Sequence, residues 1–162
     1  MPSYKVKLFS QSYNYGCWLA STHMLNQYKV WGEDPPQTSI TESVLLWGDH
    51  GITFNENWLG PHQGLLLDRA TLDAYCSSNR LGMDVFNGRV DEFQNQIKKG
   101  PFMIAGKITD VGDHFYVISK VSENKIRLFD PMPQGKGNVL NTTIDALKSA
   151  NPEAFKWCFW KL

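Results

Sequence analysis

The sequence predicts an α+β fold, and three observations predict it. Apolar residues recur at helical spacing through most of the first hundred positions. After Gly100-Pro101 the pattern changes to period two. Several short strand-like runs then follow in quick succession. Helices first and strands after is the layout of an N-terminal helical lobe packed on a mostly antiparallel sheet lobe.

The elements follow in order. Residues 4 to 9 alternate apolar and polar and read as a short strand. Cys17, Ala20, Met24, Tyr28 and Trp31 recur at helical spacing, which predicts a helix from Cys17 to near Val30. Thr41 to Trp47 is a second, short helix with Glu42 in its first turn. Gly48 to Gly64 is rich in glycine around Ile52, Phe54 and Trp58 and reads as an irregular surface region. Its aromatics are either a binding surface or plugs for a small satellite core. Gln63 to Asn79 is helical, with Leu65, Leu72, Tyr75 and Cys76 on the buried face. Arg89 to Lys99 is a shorter helix with the stripe Val90, Phe93 and Ile97, stopped by Gly100-Pro101. Phe102 to Ile108, Phe115 to Val121 and Lys125 to Asp130 are strands. Asn141 to Ala150 is a helix capped by Thr142 or Thr143, and Phe155 to Trp160 is a final strand. The expected organisation is one domain over residues 1–162. Its helical lobe covers about 10–99, and its sheet lobe about 100–162 plus the N-terminal strand.

Composition narrows the function. The 162 residues carry 16 basic and 16 acidic side chains, so the formal charge is zero. No basic run supports nucleic-acid binding. Six Trp, six Tyr and nine Phe argue for a packed core rather than disorder. No apolar run approaches the roughly 18 to 20 residues that span a bilayer. Residues 1 to 9 lack the apolar core of a secretory signal. The chain is therefore expected to be cytoplasmic where made, exported by a signal-independent secretion system, or cut from a larger protein. Cys17, Cys76 and Cys158 are too few for a disulfide framework, and their odd number leaves at least one free thiol. A bridge between Cys76 and Cys158 stays open at this stage. No pair is spaced like a zinc knuckle, and no metal or cofactor is expected.

The chemistry concentrates at Gln11 to Tyr28. Cys17 opens a helix, where unpaired backbone N–H groups and the helix dipole favour thiolate over thiol. Gly16 allows a sharp turn into the helix. Gln11, six residues earlier, can bring its side-chain amide beside the sulfur. With the Cys17 backbone N–H it would form a two-donor oxyanion hole. The alternative is that Cys17 simply packs a helix start, as free cysteines commonly do.

A base and its orienter come from the strand region. His114 begins one strand, and Asp130 ends the next. If Ser122-Glu123-Asn124 is a three-residue hairpin loop, Val121 faces Lys125 and Tyr116 faces Asp130. His114 is then the diagonal neighbour of Asp130 on one sheet face, about 7–8 Å away at the backbone. Asp130 would accept the His114 Nδ1–H, leaving the other ring nitrogen for a cysteine. A one-residue slip would put Asp130 on the opposite face. The other histidines are weaker candidates. His23 lies six residues along the Cys17 helix and points away from the thiol, while His50 and His62 sit in loops. Asp113 adjoins His114 but points to the other face.

Gln11, Cys17-Trp18 opening a helix, then Asp113-His114 opening a strand and Phe129-Asp130-Pro131 closing another resemble the papain-like cysteine proteases. Gly100-Pro101 through Asp130-Pro131 more closely resembles the compact bacterial branch. That branch includes bacteriocin-processing peptidases and injected papain-like effector or toxin proteases. Its third member is usually an Asp followed by Pro, as here. The resemblance implies a catalytic triad of Cys17, His114 and Asp130, with Gln11 and the Cys17 N–H as the oxyanion hole. Bacteriocin-processing peptidases usually carry Asp before the nucleophile, where this chain has Gly16, and the chain has no transporter segment. On those grounds a free-standing effector or toxin domain is the closer likeness. The implied partners are a protein or peptide substrate and a cognate inhibitor or immunity protein, with neither nucleic acid nor membrane. Two rival readings remain. One is a glutamine deamidase or transglutaminase toxin, which the same triad would serve. The other is an inactive papain-fold binding module, disfavoured because all four site residues are present.

Overall fold

The period-two runs form one six-stranded sheet, whose strands are β1 (Leu81–Val85), β2 (Phe102–Ile108), β3 (Gly112–Ser122), β4 (Lys125–Asp130), β5 (Asn138–Thr143) and β6 (Phe155–Lys161). The computed structural model describes residues 3–9, 16–28, 52, 55–60, 64–108, 112–132, 136–150 and 155–162. The strand order is β1-β6-β2-β3-β4-β5, and the paired strands are antiparallel. Among the described residues four α-helices accompany it: α1 (Cys17–Asn26), α2 (Arg69–Asn79), α3 (Val90–Gln96) and α4 (Ile144–Ala150). This is an α+β architecture, as the change of period implied.

Alternation along β3 explains why both sheet faces are buried. Phe115 and Val117 point into a core built with Trp18, Leu19, Met24 and Leu25 of α1 and Leu72 and Tyr75 of α2. Tyr116, Ile118 and Val121 point into a second core with Phe93 of α3, Ile144 of α4 and Phe155 of β6. A strand covered on both faces is apolar nearly throughout, and Phe115-Tyr116-Val117-Ile118 is such a run. All ten residues of α1 are buried, including Ser21, Thr22, His23 and Asn26. The Cys17 helix therefore runs through the protein rather than over it.

Several elements differ from the sequence expectation. Residues 4–9 are not a strand; the segment touches the sheet through one bridge, Ser3 to Lys120. The helix expected from Gln63 starts at Arg69, because Asp68 caps it: its Oδ1 accepts the Thr71 backbone N–H at 2.9 Å. Arg89 to Lys99 divides into α3 and a 3₁₀ turn at Ile97–Lys99. Strand β1 was not expected, and it takes the sheet's edge from within the chain's helical half. Its five residues include Gly82, whose missing side chain leaves room for the Trp160 indole on β6. Strand β5 was also not expected: its Asn141 to Thr143 fall within the helix expected over Asn141 to Ala150. Thr143 does cap that helix, its Oγ1 accepting the Ala146 N–H at 3.1 Å, but the helix begins at Ile144. Trp58 packs on the main core, edge-on to Tyr75 at 6.1 Å, rather than on a satellite. The helix expected at Thr41–Trp47, and Phe54, lie outside the described residues.

Candidate active site

Cys17 is the first residue of α1, where the backbone N–H groups of the first turn have no intrahelical partner. Gly16 precedes it with φ −88° and ψ 9°, a conformation open to any residue, so the entry turn does not depend on glycine. The helix is held from its far side. Thr22 donates its hydroxyl to the Trp18 carbonyl at 2.7 Å and hydrogen-bonds the Tyr75 hydroxyl of α2. Trp18 meets Tyr75 edge-on with ring centroids 5.9 Å apart. These contacts lock the first two turns of α1 against α2 and so fix where the sulfur stands.

His114 is the third residue of β3, opposite Gly106 of β2, and is 2% exposed. Its Nε2 lies 2.7 Å from Asp130 Oδ1 at the end of β4. The expectation was Nδ1; the structure gives Asp130 the other nitrogen. With Nε2 committed, Nδ1 is the ring atom left to face Cys17, whose thiol is near enough to help raise the imidazole's pKa. Asp130 Oδ1 also accepts the Met132 backbone N–H at 2.9 Å, so the turn after β4 holds the carboxylate in place. The Tyr116 ring flanks the imidazole, its centroid 5.9 Å away. Burial alone would pull the His114 pKa down. The hydrogen bond that His114 donates to Asp130, then the interaction with Cys17, and the charges of both outweigh it and push His114 up to about 9. The imidazolium is thus the favoured form at neutral pH.

The strand register that joins His114 to Asp130 is reached differently from the expectation. The hairpin turn is two residues, Glu123-Asn124, with Ser122 opposite Lys125 and Val121 opposite Ile126. Continued without interruption, that register would set Asp130 against Val117 and turn it away from His114. A β-bulge intervenes between Ile118 and Lys120, with Ser119 as the extra residue. Beyond it Ile118 faces Leu128 and Val117 faces Phe129, the pairing expected from a three-residue loop. Two departures from the expected hairpin cancel, and Asp130 shares a face with His114. The signal was present in the sequence. Tyr116, Ile118 and Val121 are apolar while Lys120 is not, a break in alternation that marks the inserted residue.

Cys17, His114 and Asp130 are therefore brought together. Gln11 lies outside the described residues, as do His50 and His62. His23 is buried on α1 with its ring tilted against Phe9 at 5.7 Å. Cys76 and Cys158 are free thiols, not a bridge, and burial pushes each up to about 12. Among the described residues no group of three or more His, Cys, Asp or Glu is placed to hold a metal ion. Nor is any described helix long and apolar enough to cross a membrane.

Known proteins share this chain's family and fold. The model of the Peptidase_C39 like family matches residues 3–157. No curated protein sequence matches the chain. Among solved structures it is similar to the peptidase domain of Streptococcus ComA, a bifunctional ABC transporter involved in quorum sensing. That match has a TM-score of 0.61 and 15% identity, and covers 96% of this chain and 98% of that one. It is also similar to a double glycine motif protease from an AMS/PCAT transporter, solved in complex with the leader peptide. There the TM-score is 0.57 and the identity 15%, with 99% of this chain and 93% of the other covered. The two structures share its fold. With the family match spanning nearly the whole sequence, the chain belongs to the Peptidase_C39-like family and is a papain-like cysteine peptidase.

Proposed function

We propose that Cys17, His114 and Asp130 are the catalytic triad of this peptidase, and that it removes a leader segment from a peptide precursor. The observation that carries the triad is the imidazole held between the Asp130 carboxylate at 2.7 Å and the thiol at the start of α1. For attack the sulfur must be thiolate, with His114 carrying the proton. The thiolate attacks the scissile carbonyl carbon, and the carbonyl electrons move to oxygen. The Cys17 backbone N–H and the Gln11 side-chain amide stabilise that oxyanion. His114 gives its proton to the leaving amine as the C–N bond breaks, which leaves a thioester on Cys17. A water then yields a proton to His114 and attacks the thioester, releasing the acid and restoring the thiolate. Asp130 keeps the ring in line throughout.

Both structural neighbours belong to transporters, and one was solved with a leader peptide. That favours peptide processing over an injected effector. The test is incubation of the purified chain with a synthetic precursor carrying a Gly-Gly junction, followed by mass spectrometry. Two fragments from the wild type and none from Cys17→Ala are expected. A gain of about one dalton on an uncut peptide would instead identify a deamidase. An intact, unmodified peptide alongside rapid cleavage of unrelated proteins would remove the leader-processing reading. Cleavage by Cys17→Ala would remove the triad.

A further inference from the structure

Strand alternation places three cations on one side of the β3–β4 hairpin tip. Lys120 stands directly opposite Arg127, and Lys125 lies two residues away along β4 on the same side. Like charges directly opposite one another cost stability. Among the described residues, none of the three forms an ion pair. Arg127 instead donates from Nε to Asn141 Oδ1 on β5 at 3.2 Å. A groove of about 480 Å³ lies here, lined among others by Lys120, Ser122, Lys125, Asn141 and Thr143. Ammonium, hydroxyl and amide groups line it, and none of its described lining residues is acidic. The nearby Asp145 takes a hydrogen bond from Asn124 and lies outside the lining.

The groove opens on the edge of the sheet. Among the described residues β5 is last in the strand order and pairs only with β4. Natural edge strands are usually blunted by proline or charge. Asn138-Val139-Leu140-Asn141-Thr142-Thr143 has neither, and Val139 and Leu140 are both exposed. Asn141 and Thr143 lie on the cationic side, and Leu140 lies on the other. A strand laid along β5 would therefore present alternate side chains to two different surfaces. Those beside Asn141 and Thr143 fall within reach of the long Lys125 and Arg127 stems. Those on the other side pass Asn138, Leu140 and Thr142, where exposed Leu140 is the apolar contact.

The geometry points to β5 as a docking edge for an extended acidic segment that alternates carboxylate and apolar side chains. Main-chain hydrogen bonds would supply affinity, and the cations would supply selectivity. A second copy is a poor occupant, because its β5 carries no carboxylate. Asn138 pairs with Asp130, so the docked strand runs toward the triad end of β4, with β5 between them. The occupant is thus a segment of the substrate polypeptide, an assignment that rests on the triad reading above.

The test measures binding rather than turnover. Fluorescence anisotropy is followed with the Cys17→Ala chain and a labelled peptide of about ten residues alternating Glu and Val. Saturable binding is expected, weakened about tenfold or more in Lys120→Glu/Arg127→Glu. A Lys-for-Glu twin and a peptide N-methylated at alternate residues should both fail to bind. Circular dichroism melting shows whether the double variant folds; if it does not, Lys120→Ala and Lys125→Ala are used separately, each expected to weaken binding. No binding of the acidic peptide, or equal binding by the charge variants, overturns the inference. Equal binding of the N-methylated peptide does so too, since edge pairing is then absent. Displacement by inorganic phosphate or by a single-stranded oligonucleotide as readily as by unlabelled peptide would show a general anion site and also overturn it. A chain that binds the peptide but cleaves nothing keeps the docking edge and sinks the triad, so the two failures are distinguishable.

Discussion

At Asp130 a single oxygen does two things: Oδ1 takes His114 Nε2 at 2.7 Å and the Met132 N–H at 2.9 Å. Both need an acceptor rather than a charge. Asp130→Asn is therefore expected to keep a substantial part of kcat/KM, because its amide oxygen still accepts. Asp130→Ala should lose on the order of a hundredfold, still less than Cys17→Ala loses. An alanine variant as fast as wild type would show that Asp130 is only a strand end. The pH profile gives an independent reading. The active pair needs His114 protonated, so kcat/KM should fall on the alkaline side near 9. Asp130 makes the largest upward contribution to that pKa, and burial remains when it is removed. The alkaline limb of Asp130→Ala must therefore move to lower pH. The thiols separate as well. Cys76 and Cys158 are buried and pushed up to about 12, so iodoacetamide near neutral pH should label Cys17 first. Mass mapping of the alkylated peptides checks it, and equal labelling of all three would contradict an activated Cys17. Gln11→Ala should lower kcat more than it raises KM, since an oxyanion donor acts on charge that appears only in the transition state. A change in KM alone would make Gln11 a substrate contact.

The elements show what the sequence could carry and what it could not. The period change at Gly100-Pro101, the helix at Cys17, and strands β2, β3, β4 and β6 were legible because buried faces impose a strict apolar period. β1 and β5 were not, because they are edges: half-exposed strands need no such period, and their Gly82, Asp84, Asn138 and Asn141 imitate loops. The residues of the site were legible, since chemistry restricts their type. The hairpin between His114 and Asp130 was legible only as a face relation. Turn length and bulge offset each other, and a pattern of burial reports only their sum. This yields a test. Deleting Ser119 makes the pairs Ile118–Leu128 and Lys120–Arg127 consecutive and leaves every partner on its present face. The shortened hairpin should fold and keep His114 beside Asp130, with activity within about tenfold of wild type. A folded deletion variant as slow as Asp130→Ala would show that the twist added by the bulge, rather than the register, aims the carboxylate.

Across the whole molecule, the charged pair couples catalysis to stability through the sheet that carries it. β3 is buried on both faces, and His114 near its start is almost fully enclosed, so its proton is bound far more tightly folded than unfolded. The folded pKa is raised from 6.5 to about 9. Between those values the native state holds a proton that the unfolded chain has released, so stability must fall as pH rises. The contribution is complete below about 6.5 and is lost through about 9, amounting to about 3 kcal/mol. Cys76 and Cys158 have raised values too, and their unfolded thiols ionise first above about 9, so they add an alkaline loss only beyond this window. The difference between wild type and His114→Asn in urea denaturation from pH 6 to 8.5 therefore isolates His114. Wild type should lose stability steadily across the range, and His114→Asn should show a clearly shallower slope. Cys17→Ala should show a smaller slope of the same sign, because Asp130 remains as the principal upward influence on the imidazole. A wild-type slope no steeper than that of His114→Asn would mean that the imidazole is not held charged in the folded protein.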